Sequence, residues 1–328
     1  MARIAILGAG ALGTALSIAL HRRDRTIYLW GIEPDVVAAI KETHQNTKFL
    51  PGALIPPAIH TTLNIAEALE DAEVAIVTVP SFAVRDVARL AIPHLPETAL
   101  VICAARGFEE GTLRRMSEVI QGELPPDLQI PVAAISGPYL APELARGSPA
   151  AVDVACVSLE NARRGRQLLT TSNFKLKPTN DIAGLEAGST FNTVFAVGAG
   201  IGDGLGWGMN ERAAYLTKAL AEIARLAAAV GGKRPTLYGL SGIGDLTVTA
   251  FSPLSRNRTL GEELTRGRTL REIVSGMVSV VEGVAASKAA HAIATEHHIR
   301  LAITEALHQI LHEGGEPKLI QKALLASR

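Results

Sequence analysis

The chain has 328 residues, enough for two domains of ordinary size with a substantial core. Its 32 acidic and 32 basic residues cancel, which argues against a general electrostatic design for gripping nucleic acid or an anionic membrane. Only two cysteines occur, Cys103 and Cys156, both in apolar runs, so neither a disulfide framework nor a cysteine zinc site is expected. The N-terminus lacks a signal-peptide pattern and no apolar stretch is suited to spanning a bilayer, so the sequence reads as a protein of the reducing cytoplasm.

Along the first half, β-rich runs alternate with helical segments. RIAILGAG, TIYLWG, VAIVTVP, ALVICAA, VAAISGP and AVDVACVS are the strand candidates, several of them nearly all apolar, as buried parallel strands are. ALGTALSIALHR and FAVRDVARLAIPHL lie between them with helical spacing. This alternation predicts an α/β fold, a Rossmann-type doubly wound parallel sheet. From about Asp181 the texture becomes Ala/Leu-rich and helical, broken by glycine clusters. Two domains are therefore expected, a dinucleotide-binding one over 1–180 and a helical substrate domain over 181–328.

GAGALG, Gly8 to Gly13, fits G-x-G-x-x-G, preceded by a strand pattern and followed by a helical one. Gly8 would permit the tight turn, Gly10 would let the backbone approach a pyrophosphate, and Gly13 would let helix pack on strand. The free amides of the helix start, reached through Ala11 and Leu12, would face the phosphates. Glu33, about twenty residues beyond the last of these glycines, is placed to bond a ribose hydroxyl and to repel a 2'-phosphate. No arginine follows it directly, so NAD is favoured, with NADP possible. The nearby HRRDR run reads as a solvated turn.

Further on, Gly242 and Gly244 open a turn, and Asp245, Thr249 and Arg256 follow at spacings that can bring all three to one pocket. Arg256 offers a planar fork of donors suited to a phosphate, and Asn257 can add an amide. A helix cap for Asp245 and a surface ion pair for Arg256 are the plainer alternatives.

Several stretches together resemble the NAD(P)-dependent glycerol-3-phosphate dehydrogenase family: GAGALGTAL, VPSFAVRDV, ISGPYLAPELARG, AGIGDGLGWGMNERAAYLTKALAEI, GLSGIGDLTVTAFSPLSRNRTLG and VVEGVAASKA. The resemblance spans almost the whole chain, and GIGDL followed by SRNR is its most specific part. It implies a Rossmann domain, an all-helical C-terminal domain, and reversible reduction of dihydroxyacetone phosphate to sn-glycerol 3-phosphate. It assigns Asp245 and Thr249 to the active site, Arg256 and Asn257 to the substrate phosphate, and Glu282 to the cofactor side.

The resemblance also exposes departures. The family pattern E-x-G-G-A-L-K-N reads EAGSTFNT here, with Asn192 at the lysine and Thr193 at the asparagine. A second family lysine corresponds to Arg106, and Tyr139, Pro142 and Met209 stand where serine, lysine and aspartate are usual. Hydride addition to a ketone leaves an alkoxide that needs a proton or a cation, and a positioned general acid contributes about 10² to 10⁴ in rate. Asn192 can donate a hydrogen bond but no proton. Arg106 keeps its charge but has too high a pKa to act as an ordinary acid; its stabilisation of an oxyanion is worth about 10² to 10³.

Three readings follow. The chain is a glycerol-phosphate-type dehydrogenase with rearranged acid catalysis through Arg106. Alternatively, it reduces a different phosphorylated or anionic carbonyl compound in a pocket retuned by Asn192, Thr193, Tyr139 and Met209, or it binds dinucleotide and phosphometabolite without turnover. Lys218 reads as a structural cation. His308 and His312, at i and i+4, read as a last helical turn rather than a metal site, since no third ligand is evident. The Ala/Leu-rich half is a surface suited to a homodimer.

Overall fold

A computed structural model describes residues 2–326 of the chain. The first half runs β1 (Ala2–Leu7), α1 (Ala11–Leu20), β2 (Arg25–Trp30), α2 (Pro34–Thr43), β3 (Gln45–Asn46), β4 (Leu50–Leu54), β5 (Ile59–Thr62), α3 (Ile65–Leu69) and β6 (Val74–Val77). It continues with α4 (Val84–Ala91), β7 (Leu100–Cys103), α5 (Met116–Glu123), β8 (Val132–Ser136), α6 (Ala141–Ala145), β9 (Ala150–Cys156), α7 (Leu159–Leu169) and β10 (Phe174–Thr179). Eight strands form one sheet in the order β10-β9-β8-β7-β6-β1-β2-β5, while β3 and β4 make a small antiparallel ribbon. Every residue of β6, β7 and β8 is buried, which is why these segments read as unbroken apolar runs. The neighbours of β1 are β6 on one side and β2 on the other, so the order reverses at β1, the place where such sheets bind ligands beyond the strand ends.

The Rossmann-type sheet is as expected, with one correction. It is not parallel throughout, because β9 runs antiparallel to β8, pairing Ala133 with Cys156 and Ser136 with Asp153, and β10 follows β9 in parallel. The segment joining β8 to β9 holds only the one-turn helix α6, too little to return the chain for a parallel pairing under a covering helix. β10, FKLKPT, was not among the strand candidates. Its alternation is nonetheless the mark of a strand with one solvated face, since Phe174 and Leu176 are buried and Lys175 and Lys177 exposed.

The chain divides into two compact units. One runs to Ala105 and resumes over Arg114–Ile182; the other takes Arg106–Leu113 together with the chain from Ala183 onward. The second unit is helical: α8 (Ile182–Gly204), α9 (Met209–Ala229), α10 (Asp245–Phe251), α11 (Arg256–Thr265), α12 (Leu270–Ser275), α13 (Glu282–Glu296), α14 (Ala302–His312) and α15 (Leu319–Leu325). α8 is buried on nearly all sides, consistent with its lack of a polar stripe. Its Phe191 and Phe195 join Tyr215, Ile223 and Leu307 in the core of this unit, and the Tyr215 hydroxyl donates to the carbonyl of Phe195 at 2.7 Å. Lys218 donates to the carbonyls of Leu324 and Ala326, closing the end of α15, the structural role expected of it. Among the described residues no helix is long and apolar enough to cross a membrane.

Candidate active site

In the first unit the turn between β1 and α1 is built as the glycine spacing requires. Gly8 has φ +127°, in the region that favours glycine, and a Cβ on Gly13 would lie 1.9 Å from the carbonyl oxygen of Gly8. Around Gly10, by contrast, a Cβ would meet nothing within 4 Å, which leaves the backbone open to a ligand. Gly10 is also the N-cap of α1 and makes no side-chain cap, so the first amides of that helix stay available to an anion. These features fit a dinucleotide pyrophosphate.

Two residues that hold this turn were not found from the sequence. Asn46 donates from one amide group to the carbonyl of Ala9 and to Thr14 Oγ1, both at 2.8 Å, and is itself 1% exposed. Thr78, just past β6, donates to the carbonyls of Leu7 and Gly8. Neither belongs to a local motif; each reaches the turn from a distant strand end. Glu33 is the residue before α2, in the short turn that follows β2, where an acid for a ribose belongs.

In the second unit the predicted active-site residues converge on Asp245. Its carboxylate receives both guanidinium ends of Arg106 at 2.9 Å, the amide of Asn192 at 3.0 Å and, more weakly, the hydroxyl of Thr249 at 3.4 Å. Asp245 is the first residue of α10, so Thr249 is one turn on and shares its face. The segment Leu240–Gly244 before it is a π-type turn, and its carbonyls at Ser241 and Gly242 accept from Asn192 at 3.2 and 3.1 Å. Arg106 enters on the Arg106–Leu113 excursion of the chain, with Phe108 stacked on Phe191 of α8 beneath it. Burial pushes the Asp245 carboxyl up from its ordinary pKa, while Arg106, Asn192 and Thr249 pull it down.

Several expectations change as a result. Asn192 is fully buried, and its two N–H groups face Ser241, Gly242 and Asp245, so it holds Asp245 rather than offering a free donor. Its Oδ1 is buried without a partner. Thr193 is buried and spends its hydroxyl proton on the carbonyl of Thr190. Tyr139 is buried and packs edge-on to Phe174 in the core of the first unit. Met209 is 75% exposed at the start of α9.

Arg256 opens α11, whose N-cap Ser255 accepts from the amide of Arg258. The side chain of Arg256 is exposed on one side, yet crowding by protein atoms lowers its pKa; Glu282 opposes the shift and the charge of Arg106 adds to it. Two guanidinium groups therefore lie within each other's field, one held by Asp245 and the other exposed beside the start of a helix. Asn257 turns its Oδ1 to the backbone amide of Gly283, joining α11 to the start of α13, and leaves its own amide group for a ligand. The i, i+4 pair His308 and His312 gains a third imidazole, since His291 of α13 stacks on His308 at 3.9 Å and 9°. Stacked faces do not share a metal, and no metal-binding cluster is found among the described residues.

A Rossmann-type sheet with this glycine turn, followed by a helical unit that sets an arginine on a buried aspartate, fits the class of dinucleotide-dependent dehydrogenases. Residues 3–162 match the NAD-dependent glycerol-3-phosphate dehydrogenase N-terminus and residues 181–322 match its C-terminus. The chain belongs to the NAD-dependent glycerol-3-phosphate dehydrogenase family. It is 43% identical to glycerol-3-phosphate dehydrogenase (NAD(P)+) of Rhodospirillum rubrum, over 94% of this chain and 87% of that one. With the enzyme of the same name from Koribacter versatilis it shares 41% identity over 97% of this chain and 95% of the relative. The crystal structure of glycerol-3-phosphate dehydrogenase from Coxiella burnetii superposes with a TM-score of 0.92 at 34% identity, covering 98% of both chains.

Proposed function

We propose that this chain is an NAD(H)-dependent dehydrogenase acting on a small phosphorylated ketone and its alcohol, with dihydroxyacetone phosphate and sn-glycerol 3-phosphate as the pair. The activity named for its relatives supports this reading. The observation that carries it is found in the second unit, where Arg106 is fixed by Asp245 and Arg256 stands exposed at the start of α11. In this reading the first domain, 1–180, binds the dinucleotide and the second, 181–328, the substrate, with the Arg106–Leu113 excursion serving the second. Gly8, Gly10, Ala11, Leu12 and Gly13 would hold the pyrophosphate and Glu33 the ribose, favouring NAD. Glu282 is read as a cofactor contact that also balances Arg256. The ensemble is read as a cytoplasmic homodimer, which light scattering would check.

Bound NADH supplies the hydride. Arg256 and the Asn257 amide grip the substrate phosphate, and Arg106 answers the negative charge that gathers on the carbonyl oxygen. Arg106 meets Asp245 through both terminal nitrogens, so the ion pair fixes the plane and position of the guanidinium charge. Thr249 and Asn192 keep the Asp245 carboxylate in place. The proton for the new hydroxyl comes from water, because neither an amide nor a guanidinium releases one near neutral pH. The member is thus divergent in its proton source, with Asn192 where a lysine ammonium is usual.

Oxidation of NADH with dihydroxyacetone phosphate tests this. Measurable but slow turnover is expected, rising about 10²-fold in Asn192→Lys and falling about 10²-fold in Arg106→Met. The reading is sunk if neither the wild type nor the lysine variant oxidises NADH with this ketone.

A further inference from the structure

Arg256 and Arg258 are two residues apart on α11, about 200° around a helix, so they leave it on opposite sides. Arg258 turns inward. Its Nε donates to Asp203 at 2.6 Å, in the last turn of α8, and its Nη2 donates to Glu262 at 2.7 Å. Asp203 also receives Arg212 of α9 at 2.8 Å, and its side chain is only 7% exposed. Around this ion pair, α8 and α11 touch through backbone. A Cβ on Gly200 would lie 1.9 Å from the carbonyl oxygen of Arg258, and one on Gly261 would lie 2.0 Å from that of Val197.

Such a contact brings two helices close but does little to set their rotation, because glycine surfaces lack the ridges that interlock helices. The Asp203–Arg258 pair supplies the missing constraint. It is short, mostly shielded from water and tied to three helices, which separates it from a solvated surface pair. When Arg258 is held inward, Arg256 is held outward, with the first amides of α11 beside it. We propose that Asp203 is a positioning residue for the phosphate site: through Arg258 it sets the rotation of α11, and thereby the aim of Arg256 and Asn257. This rests on the reading of Arg256 as the phosphate-holding residue.

The test uses the full-length protein with inorganic phosphate as probe, measuring its dissociation constant beside that of NADH, and the KM and kcat for dihydroxyacetone phosphate. In Asp203→Asn the phosphate dissociation constant and KM are expected to rise about tenfold while NADH affinity changes little, the size of effect that one misaligned charge-assisted contact gives. Arg258→Lys, which keeps the charge but loses the fork, should reproduce the shift and serves if the asparagine variant does not fold. Ile320→Val in α15, a core change of modest cost far along the chain, should leave the phosphate constant unmoved. An unchanged phosphate constant in Asp203→Asn and Arg258→Lys, with a large loss in Arg256→Ala, overturns the positioning role alone. So does an equal rise in the Ile320→Val control. No loss in Arg256→Ala removes the phosphate-site reading and this inference with it.

Discussion

At the scale of single residues the candidate active-site cluster is a buried ion pair with two helpers. Asp245 and Arg106 have side-chain exposures of 2% and 19%, so removing one partner strands the other's charge away from water. Asp245→Asn is expected to cost about 3 kcal/mol of stability, measured by urea unfolding. Asn192→Leu keeps the volume roughly but removes the amide that ties the carbonyls of Ser241 and Gly242 to the Asp245 carboxylate, so a loss of about 2 kcal/mol is expected, with weakened turnover. A loss below about 0.5 kcal/mol in that variant would mean that water replaces the amide readily. The residues of this cluster were legible in the sequence as a set: Arg106, Asn192, Asp245 and Thr249 were all singled out. Their roles were not. Sequence spacing gives no means of seeing that the Asn192 amide faces two carbonyls of a π-type turn, because those acceptors belong to the backbone and arise only when the turn forms.

Secondary-structure elements carry the next set of consequences. The start of α1 depends on contact between Gly13 and the carbonyl of Gly8, so Gly13→Ala should push the helix from the turn and weaken NADH binding more than tenfold, leaving phosphate affinity unchanged. Fluorescence titration with NADH checks this. Between α13 and α14 the stack of His291, His308 and His312 predicts a pH dependence. Burial lowers the pKa of His308, with the neighbouring His291 adding to it and Glu313 and Glu305 opposing; burial and His308 do the same for His312. The folded state thus binds fewer protons than the unfolded chain at these positions. Their contribution to stability is present above the unfolded value of about 6.5 and is lost as pH falls through the lower folded values. The urea midpoint should therefore drop on acidification below that point, and a His308→Asn, His312→Gln variant should show a shallower drop. The i, i+4 spacing on α14 was visible in the sequence; the third ring was not, since it comes from another helix.

On the scale of the whole molecule, the proposed function gives each unit its own ligand and hence its own signature. Hydrogen exchange should slow around Gly8–Thr14 and Asn46 when NADH is added. It should slow around Asp245–Asn257 when dihydroxyacetone phosphate is added. Ligand at a hundredfold excess over its dissociation constant should also stabilise the unit that binds it by about 2.7 kcal/mol. Protection of the same segments by both ligands would count against assigning the dinucleotide to the first unit and the phosphate to the second.

By itself the sequence determined the alternation of buried strands with helices, the glycine turn and the change to helical texture near Asp181. These are local properties, written in periodicities of two and 3.6 residues and in the tolerance of glycine for a close approach. It also singled out the charged residues of the site, through motif spacing and through the resemblance that made Asn192 conspicuous. Only the tertiary structure decided that β9 turns against β8 and that Tyr139 is core. The same is true of Asn46 and Thr78 holding the cofactor turn, and of Asn192, Arg106 and Thr249 all serving one carboxylate. Each of these is a contact between segments far apart in the chain, Arg106 and Asp245 most plainly, so it is fixed by which buried polar groups must find partners once the apolar faces have packed.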